Sequence, residues 1–128
     1  MNYLLDSHVF FWLADVHGKS SDTVSKALSA PESEVKVSAV SAFEFATKQR
    51  LGKFPSSVVD KWHESLRGLS ASELHLTTEH AVLAGRLDWA HRDPFDRLLA
   101  AQAITEGLTL VTADTAFDSA PGLPLLRW

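Results

Sequence analysis

Short apolar runs alternate with helically spaced stretches along this chain, and the first of those runs stops at an acid. Tyr3-Leu4-Leu5 ends at Asp6 and passes into Val9-Phe10-Phe11-Trp12-Leu13, too apolar for anything but a buried turn of helix. Glu34 to Ser38 has the alternation and β-branched content of a second strand, and Glu73 to Leu76 reads as a third. Leu108 to Thr112 is a strongly β fourth strand with Asp114 just beyond it, and Leu125-Leu126-Arg127 is a fifth, terminal one. Strands this short and apolar, separated by helices, need cover on both faces. The expected class is α/β, a three-layer α/β/α arrangement around a central, mainly parallel sheet of four to five strands.

The helices are bounded by chemistry as well as by spacing. Gly18 and Ser20-Ser21-Asp22 lead into a short helix over Thr23 to Ser29, ended by Pro31. Ser38 and Ser41 are candidate caps for a helix that carries Phe43, Phe45, Ala46 and Leu51 and closes at Gly52. Ser56 to Leu66 reads as one amphipathic helix, with Val58, Val59, Trp62 and Leu66 at roughly helical spacing, and Thr78 to Leu87 as another. After a polar loop over Asp88 to Arg92, Asp93-Pro94-Phe95-Asp96 opens a helix that runs to Glu106 and stops at Gly107. It has an acid at the N-cap, a proline at the first helical position and a second acid near the third. No repeat or linker interrupts the pattern. With 128 residues, 45% of them apolar, a single domain over 1–128 is expected.

The chain has no cysteine, which excludes disulfides, thiolate metal sites and cysteine nucleophiles and points to the cytoplasm. Met1-Asn2-Tyr3 lacks a basic leader and the longest apolar run, Val9 to Ala14, is too short to span a bilayer, so neither signal peptide nor membrane span is expected. The net charge of −4 argues at first sight against a nucleic-acid partner. That objection weakens if several acids are metal ligands, because bound divalent ions reverse the local sign. Basic residues also gather mid-chain, at Lys36, Lys48, Arg50, Lys53, Lys61 and Arg67; they form either a phosphate-facing patch or a solvated helical face.

Asp6 and Asp114 sit just beyond the carboxyl ends of expected strands, and Asp96 opens a helix beside them. In an open α/β sheet that edge is where ligands bind, and Glu44, in the first turn of the helix after the second strand, has the reach to join them. Four carboxylates brought together stay ionised only around cations. An all-oxygen set favours magnesium or manganese over zinc. Two such ions about 4 Å apart suit in-line hydrolysis of a phosphodiester. Each acid also has a structural role open to it: Asp6 and Asp114 as helix caps, Glu44 in a capping box with Ser41, Asp96 at a helix dipole, with Asp93 the better N-cap. The functional reading therefore rests on their convergence.

Other chemistries lack support. The histidines at 8, 17, 63, 75, 80 and 91 show no HExxH spacing, although His91 lies beside the acidic loop. Ser7 and Thr112 are either auxiliary to the acids or turn residues. Phe10, Phe11 and Trp12 read as core packing or a dimer contact. There is no phosphate-binding glycine loop and no GxSxG. A phosphoacceptor domain needs a lysine after a late strand, and none occurs beyond Lys61; a haloacid-dehalogenase-type phosphatase needs DxD where this chain has Asp6-Ser7-His8.

The segments LLDSHVFFWL, VSAVSAFEFATKQRLGK and HRDPFDRLLAAQAITEGLTLVTAD, with the following TAF, resemble PIN-domain proteins, and most of all the VapC-type toxins of bacterial toxin–antitoxin pairs. Carried over residue by residue, the family's metal-binding acids fall on Asp6, Glu44, Asp96 and Asp114, and its hydroxyl on Thr112; Asp93 lies in the similar segment. The resemblance implies a magnesium- or manganese-dependent ribonuclease, an RNA substrate, a cognate antitoxin and a homodimer. A PIN-like module that only binds RNA or protein would be expected to have lost one or more of these acids, and all four are present.

Overall fold

A computed structural model describes residues 1–15, 18–54 and 57–128; His17 and Ser56, named above, lie outside the described residues. The chain runs β1 (Asn2–Leu5), α1 (Ser7–Ala14), α2 (Asp22–Ser29), β2 (Glu34–Ser38), α3 (Ala39–Arg50), α4 (Ser57–Asp60), α5 (Trp62–Gly68), β3 (Ala71–Leu74), α6 (Thr78–Arg86), α7 (Pro94–Glu106), β4 (Thr109–Thr112), a 3-10 turn (Thr115–Ser119) and β5 (Leu125–Arg127). The five strands form one sheet in the order β3-β2-β1-β4-β5, every pair parallel. The chain thus winds outward from β1 through β2 to β3, then returns to β4 on the other side of β1. Winding reverses between β1 and β4, so the crevice for a ligand opens at their carboxyl ends.

Strand alternation sorts the core onto two faces. Tyr3 and Leu5, Val35 and Val37, and Val111 pack with Val9 and Phe10 of α1, Val24 of α2, Phe45 of α3 and Trp62 and Leu66 of α5. Leu4 and Leu110 point the other way, against Leu99, Ala100 and Ala103 of α7, Trp89 and Phe117. This period of two, with helices on both sides, is the expected three-layer arrangement. Phe10 is fully buried and meets the Trp62 ring edge-on at 5.1 Å, so it is a core residue. No helix among the described residues is long and apolar enough to cross a membrane.

Three boundaries differ from the sequence reading. β3 lies at Ala71–Leu74 rather than Glu73 to Leu76, because it is an edge strand whose register is set by pairing with β2, Val35 opposite Ala71 and Ser38 opposite Leu74. The expected Ser56 to Leu66 helix is broken at Lys61, whose φ of −107° and ψ of 26° leave the helical region, giving α4 and α5. Ser38 alone caps α3, its hydroxyl accepting from the Val40 N–H. Ser41 and Glu44 both lie inside that helix, so they form no capping box. The caps read at Asp93 and Gly107 stand, with Gly107 in the left-handed region at φ 67°.

Candidate metal centre

β1 delivers Asp6 to the crevice as the N-cap of α1. Its Oδ1 accepts from the Ser7 N–H at 2.7 Å, while its Oδ2 accepts from the Thr112 hydroxyl at 2.7 Å. The same Thr112 oxygen accepts from the Asp114 N–H at 2.9 Å, so one hydroxyl at the end of β4 ties the two acids of the switch point together. Asp114 itself is exposed and its Oδ1 caps the 3-10 turn through the Ala116 N–H. Asp6 is only 6% exposed, and its pKa is raised from the ordinary carboxylate value. Burial is the main cause, opposed by the Thr112 and Ser7 hydrogen bonds and the His8 charge, and assisted by the negative charge of Glu44.

Glu44 arrives from the second turn of α3 rather than the first, because the helix already begins at Ala39 behind the Ser38 cap. Its Oε1 accepts from the Ser7 hydroxyl at 2.8 Å and its Oε2 from the Lys48 ammonium at 2.9 Å, one turn further along the helix. Since the Ser7 proton goes to Glu44, the Ser41 hydroxyl, 2.8 Å from Ser7 Oγ, donates to it. Ser41 to Ser7 to Glu44 is thus a directed chain of hydroxyls that holds the carboxylate at the crevice. The sequence offered Ser7 as an auxiliary but not Ser41, nor Lys48 as a partner of Glu44. The i, i+4 spacing of Glu44 and Lys48 was the available signal for the latter.

Asp96 stands in the first turn of α7, where its Oδ2 lies 2.7 Å from His91 Nε2. Burial first, then the charges of Asp93 and Asp6, push its pKa up to about 6 against the lowering effect of His91. His91 is placed by Arg97, whose guanidinium donates to the carbonyls of Ala84, Leu87, Trp89 and His91 at 2.7–3.0 Å, bracing the loop between α6 and α7. Asp93 caps α7 with its Oδ1 on the Phe95 and Asp96 N–H groups. Among the described residues, His91, Asp93 and Asp96 are the one trio of ligand-type side chains whose donor atoms lie within 4.8 Å of one another. Asp6, Glu44 and Asp114 stand outside that trio, although the charge of Asp6 reaches Asp96 and that of Glu44 reaches Asp6.

The donor set fits a hard divalent cation. Asp6 is buried and Asp96 partly so; burial disfavours the ionised form of each, Glu44 adds to this at Asp6 and Asp93 and Asp6 add to it at Asp96, and a bound cation would offset these penalties. His91 adds a nitrogen at one edge, and zinc would prefer a second such ligand that the set lacks.

A family model described as PIN domain matches residues 3–123. No curated protein matches the chain in sequence. Among solved structures it is similar to DNA-bound VapBC from Salmonella typhimurium, with a TM-score of 0.73 and 18% identity over 100% of this chain and 98% of that one. VapBC2 from Rickettsia felis, bound to a promoter DNA fragment, gives a TM-score of 0.72 at 20% identity over 100% and 99%. VapBC-5 from Mycobacterium tuberculosis, a member of the VapBC family of toxin–antitoxin systems, gives 0.63 at 19% identity over 99% and 98%. At these identities the likeness is one of fold.

Proposed function

The chain belongs to the PIN-domain family, and from that premise we propose that it is a divalent-metal-dependent endoribonuclease, the toxin of a type II toxin–antitoxin pair, acting in the cytoplasm. Asp6, Glu44, Asp96 and Asp114 are its metal-binding and catalytic acids, with Ser7, Thr112 and Asp93 in support. The observation that carries the reading is the buried Asp6 carboxylate at the β1/β4 switch point, within reach of the charges of both Glu44 and Asp96. Its fold neighbours from toxin–antitoxin systems favour a cognate antitoxin, and a homodimer follows the family resemblance.

When bound, magnesium or manganese supplies charge neutralisation and Lewis acidity at the phosphorus centre. The protein's part is to present rigid carboxylates. Thr112 fixes Asp6 Oδ2, His91 fixes Asp96 Oδ2, and the Ser41-Ser7 pair fixes Glu44 Oε1, so that no acid must reorganise as substrate binds. Glu44 is held on both oxygens, by Ser7 on one and Lys48 on the other, and serves with Asp6 and Asp96 to hold the metal. As the water oxygen bonds to phosphorus, the bond from phosphorus to the leaving ribose oxygen breaks, and the proton that the water gives up passes through solvent to that oxygen.

The test is cleavage of labelled RNA by purified protein in magnesium or manganese, in EDTA, and by Asp96→Asn in parallel. Metal-dependent cleavage that the variant lacks is expected; cleavage that survives EDTA or the substitution refutes the proposal.

A further inference from the structure

Three polar side chains stand in a row across the carboxyl edge of the sheet, and two of them are already part of the acidic crevice. Strand alternation sets the row. Leu4, Leu110 and Leu125 share the core on the α7 side of the sheet, whereas Leu5, Val111 and Leu126 pack on the other. One residue further along each strand, Asp6, Thr112 and Arg127 therefore turn back to the α7 side. Leu5 pairs with Val111 and Thr112 with Arg127, so the three stand level on neighbouring chain segments, and the hydroxyl of Thr112 on Asp6 Oδ2 joins the first two directly. Arg127 itself pairs with Asp118 in the 3-10 turn that Asp114 caps, so a guanidinium is tethered by the turn that follows a crevice acid. Its side chain is 41% exposed and that of Asp118 52%, and an exposed pair of this kind contributes little to stability. Another anion can therefore replace the Asp118 carboxylate at little cost.

We infer that Arg127 is a phosphate-binding residue of the nuclease site, exchanging Asp118 for the backbone phosphate next to the scissile one in an RNA strand; this rests on the nuclease reading above. Two strand spacings, about 10 Å, separate the backbones of Asp6 and Arg127. That separation suits the next link of the strand rather than the scissile one. The occupant follows from the charge of the site. Asp6, Glu44, Asp96 and Asp114 repel a free anion or an acidic peptide, whereas an RNA strand whose scissile phosphate is held at the metal carries its next phosphate to the rim through its own backbone. The guanidinium fork matches two phosphate oxygens at once, which an ammonium does not.

The experiment follows binding of a labelled single-stranded oligoribonucleotide in calcium over a salt series, its magnesium-dependent cleavage, and thermal unfolding. It compares the full chain with Arg127→Gln, Arg127→Lys, Asp118→Asn and the Arg127→Gln, Asp118→Asn double variant. Arg127→Gln and Asp118→Asn break the same ion pair, so they should lower the melting temperature alike and only slightly. Their effects on RNA should have opposite signs. Arg127→Gln should bind about tenfold more weakly, with the log–log salt slope reduced by about 0.7, and should raise KM while kcat stays within about twofold. Arg127→Lys should recover the slope but only part of the affinity. Asp118→Asn, which frees the arginine, should bind more tightly than wild type, and the same substitution should gain less when residue 127 is already neutral. An unchanged affinity and slope in Arg127→Gln, or equal effects of the two single substitutions on RNA, would make the pair a clip for β5 alone and overturn the assignment while leaving the nuclease standing. A wild-type protein that neither binds nor cleaves RNA would overturn both.

Discussion

Asp96→Asn should stabilise the metal-free protein at neutral pH while destroying its response to metal. The carboxyl of Asp96 has its pKa raised from 3.8 to about 6, so at pH 7 the folded state holds a charge it disfavours. A shift of this size is worth about 3 kcal/mol for a fully shielded group. The side chain keeps 17% of its exposure, and solvent screening reduces the figure to about 1–2 kcal/mol. The neutral amide removes that penalty and can still meet His91. In EDTA at pH 7, the variant should therefore melt about 5 °C above wild type. The sign follows from proton uptake: between about 6 and 3.8 the folded protein binds the proton that the unfolded chain does not, so wild-type stability rises as pH falls through this window. At pH 5 roughly half of the variant's advantage should be gone, and near the unfolded value nearly all. Saturating magnesium should reverse the order, since a ligand at a hundredfold its Kd adds about 2.7 kcal/mol to wild type and nothing to the variant. Calorimetric melts of both proteins at pH 5 and 7, with EDTA and with magnesium, read all four quantities. A variant less stable than wild type in EDTA at pH 7, or a gap that does not close at pH 5, would refute the reasoning.

Three further substitutions probe the parts that hold the site. Arg97→Met removes the guanidinium from the carbonyls of Ala84 in α6 and of Leu87, Trp89 and His91 in the loop and should cost about 2–4 kcal/mol, read as a lower urea midpoint; an unchanged midpoint would contradict the bracing role. Ser7→Ala removes the hydroxyl between Ser41 and Glu44 and should cost about 1–2 kcal/mol, with weaker manganese binding by titration calorimetry and an unchanged far-UV spectrum. Equal manganese affinity would show that Glu44 needs no such support. In Gln102→Leu the buried Ser38 hydroxyl loses its 2.5 Å acceptor at the entry to α3, which should lower stability by about 1–3 kcal/mol in urea; no loss would mean that another group takes the proton.

What could be read from the sequence was local. Asp93-Pro94 and Gly107 fixed α7 at both ends because a cap needs only its own neighbours, and β4 was legible because four consecutive residues are buried. β3, half-buried at the sheet edge, has no such pattern, and its position depends on β2. Asp6, Asp114 and Asp96 could be placed from topology, since the acids follow strands or open a helix at one edge. The partners that fix them could not. Thr112 meets Asp6 across 106 positions and Ser7 meets Ser41 and Glu44 across 34 and 37, separations that no periodicity reports. Nor does spacing show that His91, rather than a fourth acid, comes closest to Asp96, because that contact depends on Arg97 folding the loop back.

Diffraction from crystals grown with manganese, recorded for its anomalous signal, tests the assignment of the site most directly. A peak coordinated by carboxylate oxygens of Asp6 and Asp96, with Glu44 or Asp114 close by, is the predicted result. A peak held by His91, Asp93 and Asp96 without Asp6, or no peak at the ends of β1 and β4, would contradict it.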